Sequence, residues 1–190
     1  QTAGGTAPDI IQMDYRYIVE YATRNAIAPL DDVIGDLGEF DADQLEGGKV
    51  DGQLYGISLG ANSVATLANK KAIEEIGESV PDNSWTYADL ERLGEAFNSA
   101  GNGMRAFSDG SGTEPMLDNW LRQRGQALYT ADNKLGFTAD DMVEWFQMWD
   151  GFRQKGYIVD AETQALDTGA PESSMVAMKR AAMMPSNSNQ

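Results

Sequence analysis

The 190-residue chain is long enough for one domain or two small ones, and 42% hydrophobic with 9% aromatic residues is a globular composition. Thirty acids against 14 bases give a net charge of −16, which disfavours nucleic acid and anionic membrane surfaces, since both recruit basic patches. With no cysteine and no histidine, the chain excludes disulfides, thiolate metal sites, cysteine nucleophiles and Ser–His or His–metal chemistry of its own.

The opening residues Gln1 to Gly5 have neither the positive charge nor the apolar run of a signal peptide, although a signal could precede them. No apolar run approaches the roughly 20 residues of a membrane helix. "PDIIQM", residues 8–13, is β-branched after a proline and predicts a buried strand. Asp14 then caps a predicted helix, "YRYIVEYATRN", with Tyr17, Ile18, Tyr21 and Ala22 at helical spacing. After a loop, Asp41 is a second capped start, and Gly47-Gly48 and Asp51-Gly52 are turn signals. Tyr55–Leu59 and Ser63–Ala68 read as strand-like pieces joined by the soft centre Gly60-Ala61-Asn62.

The texture then becomes helical. "NKKAIEEIG" stops at Gly77, a suitable C-terminal glycine. Thr86 with Asp89 forms a capping box ahead of Leu90, Leu93, Ala96 and Phe97 on one face. "MRAFS" is a brief strand, and "TEPMLDNWLRQRG" a helix with Pro115 in its first turn. "TADDMVEWFQMWDGFRQKG" carries the apolar stripe Met142, Trp145, Phe146, Trp149 and Phe152. "ESSMVAMKR" predicts a short helix and "AAMMP" a strand. Strand and helix in alternation imply an α/β protein with a mostly parallel sheet flanked by helices.

Motifs for catalysis are weak. Thirty acids supply carboxylate pairs anywhere, so spacing cannot identify a glycosidase. Gly101/Gly103 and Gly110/Gly112 match neither phosphate-loop pattern, and the "DNK" and "DAD" pieces lack the full calcium-loop pattern. No cofactor or metal is expected. The Trp145–Phe152 stripe reads as core rather than a sugar-stacking platform, Trp85 as a packed residue before its capping box, and Trp120 as either core or site.

"GTAPDIIQMDYRYIVEYATRNAIAPLDD", "GKVDGQLYGISLGANSVATLANKKAIEEIG", "NSWTYADLERLGEAF", "GFRQKGYI" and "MKRAAMMPSNSNQ" follow one another in an order that resembles one family. It is the extracellular solute-binding proteins of bacterial ABC importers, in the sugar-binding group that includes the maltose-binding protein. The resemblance implies periplasmic-binding-protein type II-like lobes. It divides the chain into a partial N-lobe (1–60), a crossing or hinge strand (61–68) and most of a C-lobe (69–190). Because that family is about twice as long, the resemblance also implies a fragment.

The function it implies is a non-enzymatic receptor that binds a sugar or oligosaccharide in an interlobe cleft and delivers it to ABC permease subunits. Such a receptor is extracytoplasmic, in the periplasm or as a cell-surface lipoprotein. Position by position, the resemblance nominates Met13, Asp14, Tyr15 and Arg16 after the first strand, and Asn62 and Ser63 in the crossing segment. It further nominates Glu114, Met116, Asn119 and Trp120 in a ligand-facing helix, then Ser186 and Asn187 near the end. At "PSNSN" many relatives carry a tryptophan, so this chain departs toward a more polar contact. The alternatives are a carbohydrate-active enzyme such as a glycosidase and a protein-interaction domain. Self-association of a truncated lobe through an open sheet edge is a further expectation.

Overall fold

The structure, a computed structural model, describes Gly4, residues 6–132 and residues 134–188. The signal-peptide reading at Gln1–Ala3 and Gly5, Asn133 of "DNK" and Asn189 of "PSNSN" lie outside the described residues. The chain forms two compact units, residues 1–62 and 63–190.

The first unit is small. A 3-10 turn, Tyr15–Tyr17, leads into α1 (Ile18–Thr23), and α2 (Ala42–Glu46) starts at Asp41. Two short strands, β1 (Lys49–Val50) and β2 (Gln53–Leu54), pair antiparallel with Val50 opposite Gln53. The two residues between them, Asp51 (φ 51°) and Gly52 (φ 82°), take the left-handed conformations that a tight hairpin turn requires. Ile18, Ala22 and Val50 form the core, with Met13, Ile27 and Tyr55 against it.

Two expected strands are absent here. Residues 8–13 pair with nothing among the described residues, and Ile10 is 90% exposed; a β-branched run becomes a strand only where an edge accepts it. Tyr55–Leu59 is not a strand either. The N–H groups of Tyr55 and Gly56 both turn to the Gly48 carbonyl (2.9 and 3.3 Å), which closes the hairpin and ends the ladder. That closure needs glycine at 48, where a Cβ would lie 1.9 Å from the Gly56 oxygen.

The second unit runs β3 (Val64–Ala68), α3 (Lys70–Glu75), α4 (Tyr87–Ala100), β4 (Arg105–Phe107), α5 (Glu114–Gln123), α6 (Ala139–Lys155), α7 (Ala161–Gln164) and β5 (Ala181–Asn187). It is α/β, and its sheet of order β3-β5-β4 is mixed rather than mostly parallel: β4 pairs parallel with β5, whereas β3 pairs antiparallel. α4 and α6 both begin with capping boxes, Thr86/Asp89 and Thr138/Asp141, and both end at a left-handed glycine, Gly101 and Gly156. These boxes hold the Asp89 carboxyl below its usual range, through the Thr86 backbone and then its hydroxyl. Asp141 is lowered likewise, by the Thr138 hydroxyl first and then the Thr138 N–H.

The core gathers on the stripe of α6. Trp145 and Trp149 are fully buried and meet edge-on with ring centres 5.5 Å apart, and Phe152 follows at 5.7 Å from Trp149. Burial of side chains this large contributes roughly 2–3 kcal/mol each. Phe146, predicted on the stripe, is 49% exposed, because it sits one residue beyond the 142/145/149/152 line. Trp85 lies tilted over Phe107 at 5.8 Å, packed as expected.

The predicted helix at 172–180 is instead a 3-10 turn, Pro171–Ser173, followed by turns. Met175 is buried, and its carbonyl accepts from both Arg180 N–H (2.8 Å) and Ala181 N–H (3.1 Å). That closure, with Lys179 at φ 57°, turns the chain into β5 before a helix can propagate.

Candidate functional site

In the second unit, parallel pairing puts the carboxyl ends of β4 and β5 on one edge of the sheet, and antiparallel pairing adds the amino end of β3. Open α/β sheets present ligand-binding groups along such a carboxyl edge. Asn187 lies opposite Val64 and Ser186 opposite Ala65. Just beyond, Ser63 N–H donates to Ser188 Oγ (3.1 Å), and Ser188 N–H donates to the Ser63 carbonyl (2.9 Å). Ser63, Ser186 and Asn187 are therefore brought together by strand register. Glu114, the exposed first residue of α5, comes at the end of the loop that leaves the carboxyl end of β4. A carboxylate, a carboxamide and hydroxyls are donors and acceptors suited to a ligand rich in hydroxyls.

The remaining α5 candidates are placed differently. Asn119 is exposed farther along the helix, and its Oδ1 accepts from Gln123 Nε2 at 3.3 Å. Met116 and Trp120 are in the core, 8% and 5% exposed, contrary to their expected ligand-facing position. One turn apart on the buried face of α5, they follow the same periodicity as Leu121. Trp120 lies 5.6 Å from Trp145, and the Arg124 guanidinium stands 4.1 Å over its ring, held there by Glu144 at 2.6 and 2.7 Å. Its stacking surface is occupied by protein.

In the first unit, the "MDYR" candidates share one turn. Met13 packs inward against the Ile18 cluster. Asp14 is the predicted cap: its Oδ1 accepts from Arg16 N–H at 3.1 Å, and the Arg16 Nε lies 3.6 Å away. Tyr15 is 77% exposed and offers an open aromatic face, the kind that stacks on the C–H face of a sugar. Asn62, the last residue of this unit, is exposed, two residues after Gly60, whose φ of 150° favours glycine.

What sequence reasoning missed is the machinery behind the loop from β4 to α5. Ser108 is buried, and its N–H donates to the Met183 carbonyl (3.0 Å). The Asp109 carboxylate accepts from Arg153 Nη1 at 2.5 Å and from Ser111 N–H at 2.9 Å, while Asp109 N–H donates to Gln164 Oε1 at 2.9 Å. Trp145 Nε1 donates to the Ser111 carbonyl at 2.9 Å. Gly110 sits against the Trp149 ring so closely that a Cβ would come within 2.7 Å of it. Gln164 is placed by α7, whose cap Asp160 accepts from Thr163 N–H and is held below the usual carboxylate range by Thr163, through its backbone first and then its hydroxyl. The available signal was the pair Gly110 and Gly112 flanking a serine, which marks close backbone approach rather than a phosphate loop. Among the described residues, no group of acids is arranged to hold a metal ion, and no helix is long and apolar enough to cross a membrane.

The model of one family, bacterial extracellular solute-binding protein, matches residues 1–190. The chain belongs to that family. This membership places it outside the cytoplasm, and the fold is that of the family's solved members. An extracellular solute-binding protein of Alicyclobacillus acidocaldarius is 29% identical, with a TM-score of 0.65, over 99% of this chain and 47% of its own. An ABC substrate-binding protein of Listeria monocytogenes, solved with cycloalternan, superposes with a TM-score of 0.81 at 22% identity, over 97% of this chain and 48% of its own. A periplasmic oligogalacturonide-binding protein of Yersinia enterocolitica, solved with saturated digalacturonic acid, also reaches 0.81, at 18% identity, over 98% and 48%. The chain thus spans about half the length of the solute-binding structures it matches. These relatives are binding proteins rather than enzymes.

Proposed function

We propose that the chain serves in the solute receptor of an ABC importer, binding a sugar or oligosaccharide and handing it to the permease, in the periplasm or as a surface lipoprotein. The observation that carries this reading is membership of a solute-binding family across the whole chain, with relatives of the same fold solved in complex with oligosaccharides. In this reading residues 61–68 cross between the lobes at 1–60 and 69–190. Tyr15 supplies the stacking face, while Ser63, Glu114, Ser186 and Asn187 supply the polar contacts, with Asn62 adding a carboxamide. Asp14 already accepts from Arg16 N–H and lies 3.6 Å from the Arg16 Nε.

The test is titration calorimetry of the whole protein against a panel of oligosaccharides, repeated with Asn62→Ala and Glu114→Gln. Saturable binding that both substitutions weaken, without loss of the folded circular dichroism spectrum, supports the reading. Absence of binding to every sugar, or release of sugar from the panel, overturns it.

A further inference from the structure

We infer that Asp109 and Arg153 are positioning residues, a partly buried ion pair through which α6 sets the pose of the ligand-facing β4–α5 loop and the start of α5. This inference rests on the proposed receptor function, because it concerns how the same sheet edge is held. The geometry is specific. Trp145, Trp149 and Arg153 lie at successive i, i+4 steps of α6, and each engages the loop. Trp145 holds the Ser111 carbonyl, Trp149 packs on Gly110, and Arg153 meets the Asp109 carboxylate at 2.5 Å and Ser111 Oγ at 3.5 Å. The side chains of Asp109 and Arg153 are only 8% and 26% exposed, unlike the surface ion pairs elsewhere in the chain. Removing the arginine would leave the more buried partner, the Asp109 carboxylate, without its cation, whereas Arg153 also has Asp150 3.7 Å from its Nη2.

The consequence is directional. The inward-facing polar groups of the loop are taken up by α6, α7 and β5, which leaves its outward edge, ending at Thr113 and Glu114, fixed in place for a ligand. A loop fixed before binding loses little conformational entropy when a ligand arrives.

Since R153M strands a buried carboxylate and can unfold the lobe outright, the informative variant is the double substitution D109N/R153M. It removes both charges, and the asparagine keeps an acceptor for the Ser111 N–H. In the whole protein, amide exchange at Asp109, Ser111 and Thr113 should accelerate by roughly tenfold or more while the β4 and α6 amides keep their protection. The conservative variant R153K should restore most of that protection. Unchanged exchange in the loop, or acceleration spread equally over α6 and the sheet, overturns the inference. The second arm titrates cycloalternan and saturated digalacturonate into the unaltered protein and the variant. If either sugar binds the unaltered protein, the variant should bind it roughly fivefold or more weakly, and equal affinity overturns the inference. If neither sugar binds, these two sugars are eliminated as ligands for the proposed receptor, and the exchange arm alone decides the positioning role.

Discussion

Gly110→Ala isolates the close contact between the loop and the core. An added Cβ would lie 2.7 Å from Trp149 Cη2, 2.9 Å from Cζ2 and 3.5 Å from Cζ3. Carbon atoms in contact prefer about 3.5–4.0 Å, so ring and loop must separate by about 0.8 Å. Neither yields easily. Trp149 is fully buried, with Trp145, Phe152, Tyr87 and Phe107 ring centres 5.5 to 6.3 Å from its own. The loop is tied at Ser108 to Met183 and at Asp109 to Arg153 and Gln164. Backbone strain does not enter, since Gly110 is not among the residues with positive φ. Overpacking against two rigid partners therefore costs about 2–3 kcal/mol. For a chain of this size that lowers the melting temperature by roughly 4–12 °C. Trp149→Phe supplies the control. It removes the clashing atoms, and because the buried Trp149 Nε1 has no hydrogen-bond partner, no bond is lost with it. In urea unfolding followed by circular dichroism, the double variant should be more stable than the sum of the single effects by about 1–2 kcal/mol. A Gly110→Ala protein as stable as its parent, or strict additivity, would refute the claim that this contact is tight and specific.

Thr138→Ala should remove the capping box that starts α6, at a cost of about 1 kcal/mol, read as a lower urea midpoint with an unchanged slope. Asp89 and Asp141 have lowered folded-state values, so the stability they contribute is present above the usual carboxylate value of about 4 and is lost as pH falls through the lower values. Acid titration of D89N/D141N should accordingly show a shallower loss of stability between about pH 5 and pH 2 than the parent. At the other end, burial pushes the Tyr87 hydroxyl up from 10.0 to about 12. Its contribution is full below the unfolded value and disappears as pH rises through about 12, a difference worth about 2–3 kcal/mol at most. Tyr87→Phe should flatten the alkaline loss of stability, and the parent should show a late tyrosinate absorbance step that this variant lacks.

Local chemistry was the legible part of the fold. Thr86/Asp89, the left-handed Gly77 and the 142/145/149/152 stripe each act within a few residues, so spacing alone locates them. Residues 8–13 and 55–59 failed for a different reason: a strand is completed by a partner, and whether one stands alongside is decided elsewhere in the chain. The candidate site divides in the same way. The Asp14 cap was readable from neighbours in sequence, whereas the strand predicted at 181–185 runs on to Asn187 and its pairing with β3 depends on residues far away in the chain. Met116 and Trp120 were named as ligand-facing, Trp120 with core as its other reading, and the periodicity of their own helix accounts for their burial. Met116, Leu117, Trp120 and Leu121 repeat one apolar face, which leaves Asn119 exposed on the other side, while Glu114 is exposed at the first position of the helix.

The Asp109–Arg153 pair, 44 residues apart in sequence, could not be found in that way, yet its logic can be reconstructed from its parts. A binding edge has to keep some polar groups outward and unspent, while a buried loop backbone has to satisfy every group it turns inward. The chain meets both demands by extending an aromatic stripe with a single arginine. Trp145 and Trp149 supply packing and one N–H to the loop, and Arg153 places a charge where the loop would otherwise leave a buried carboxylate alone. A leucine at position 153 would continue the apolar pattern and bury more hydrocarbon, but it would leave the Asp109 carboxylate without its cation. The side chain that breaks the periodicity of α6 is therefore the one that connects the core to the candidate binding edge.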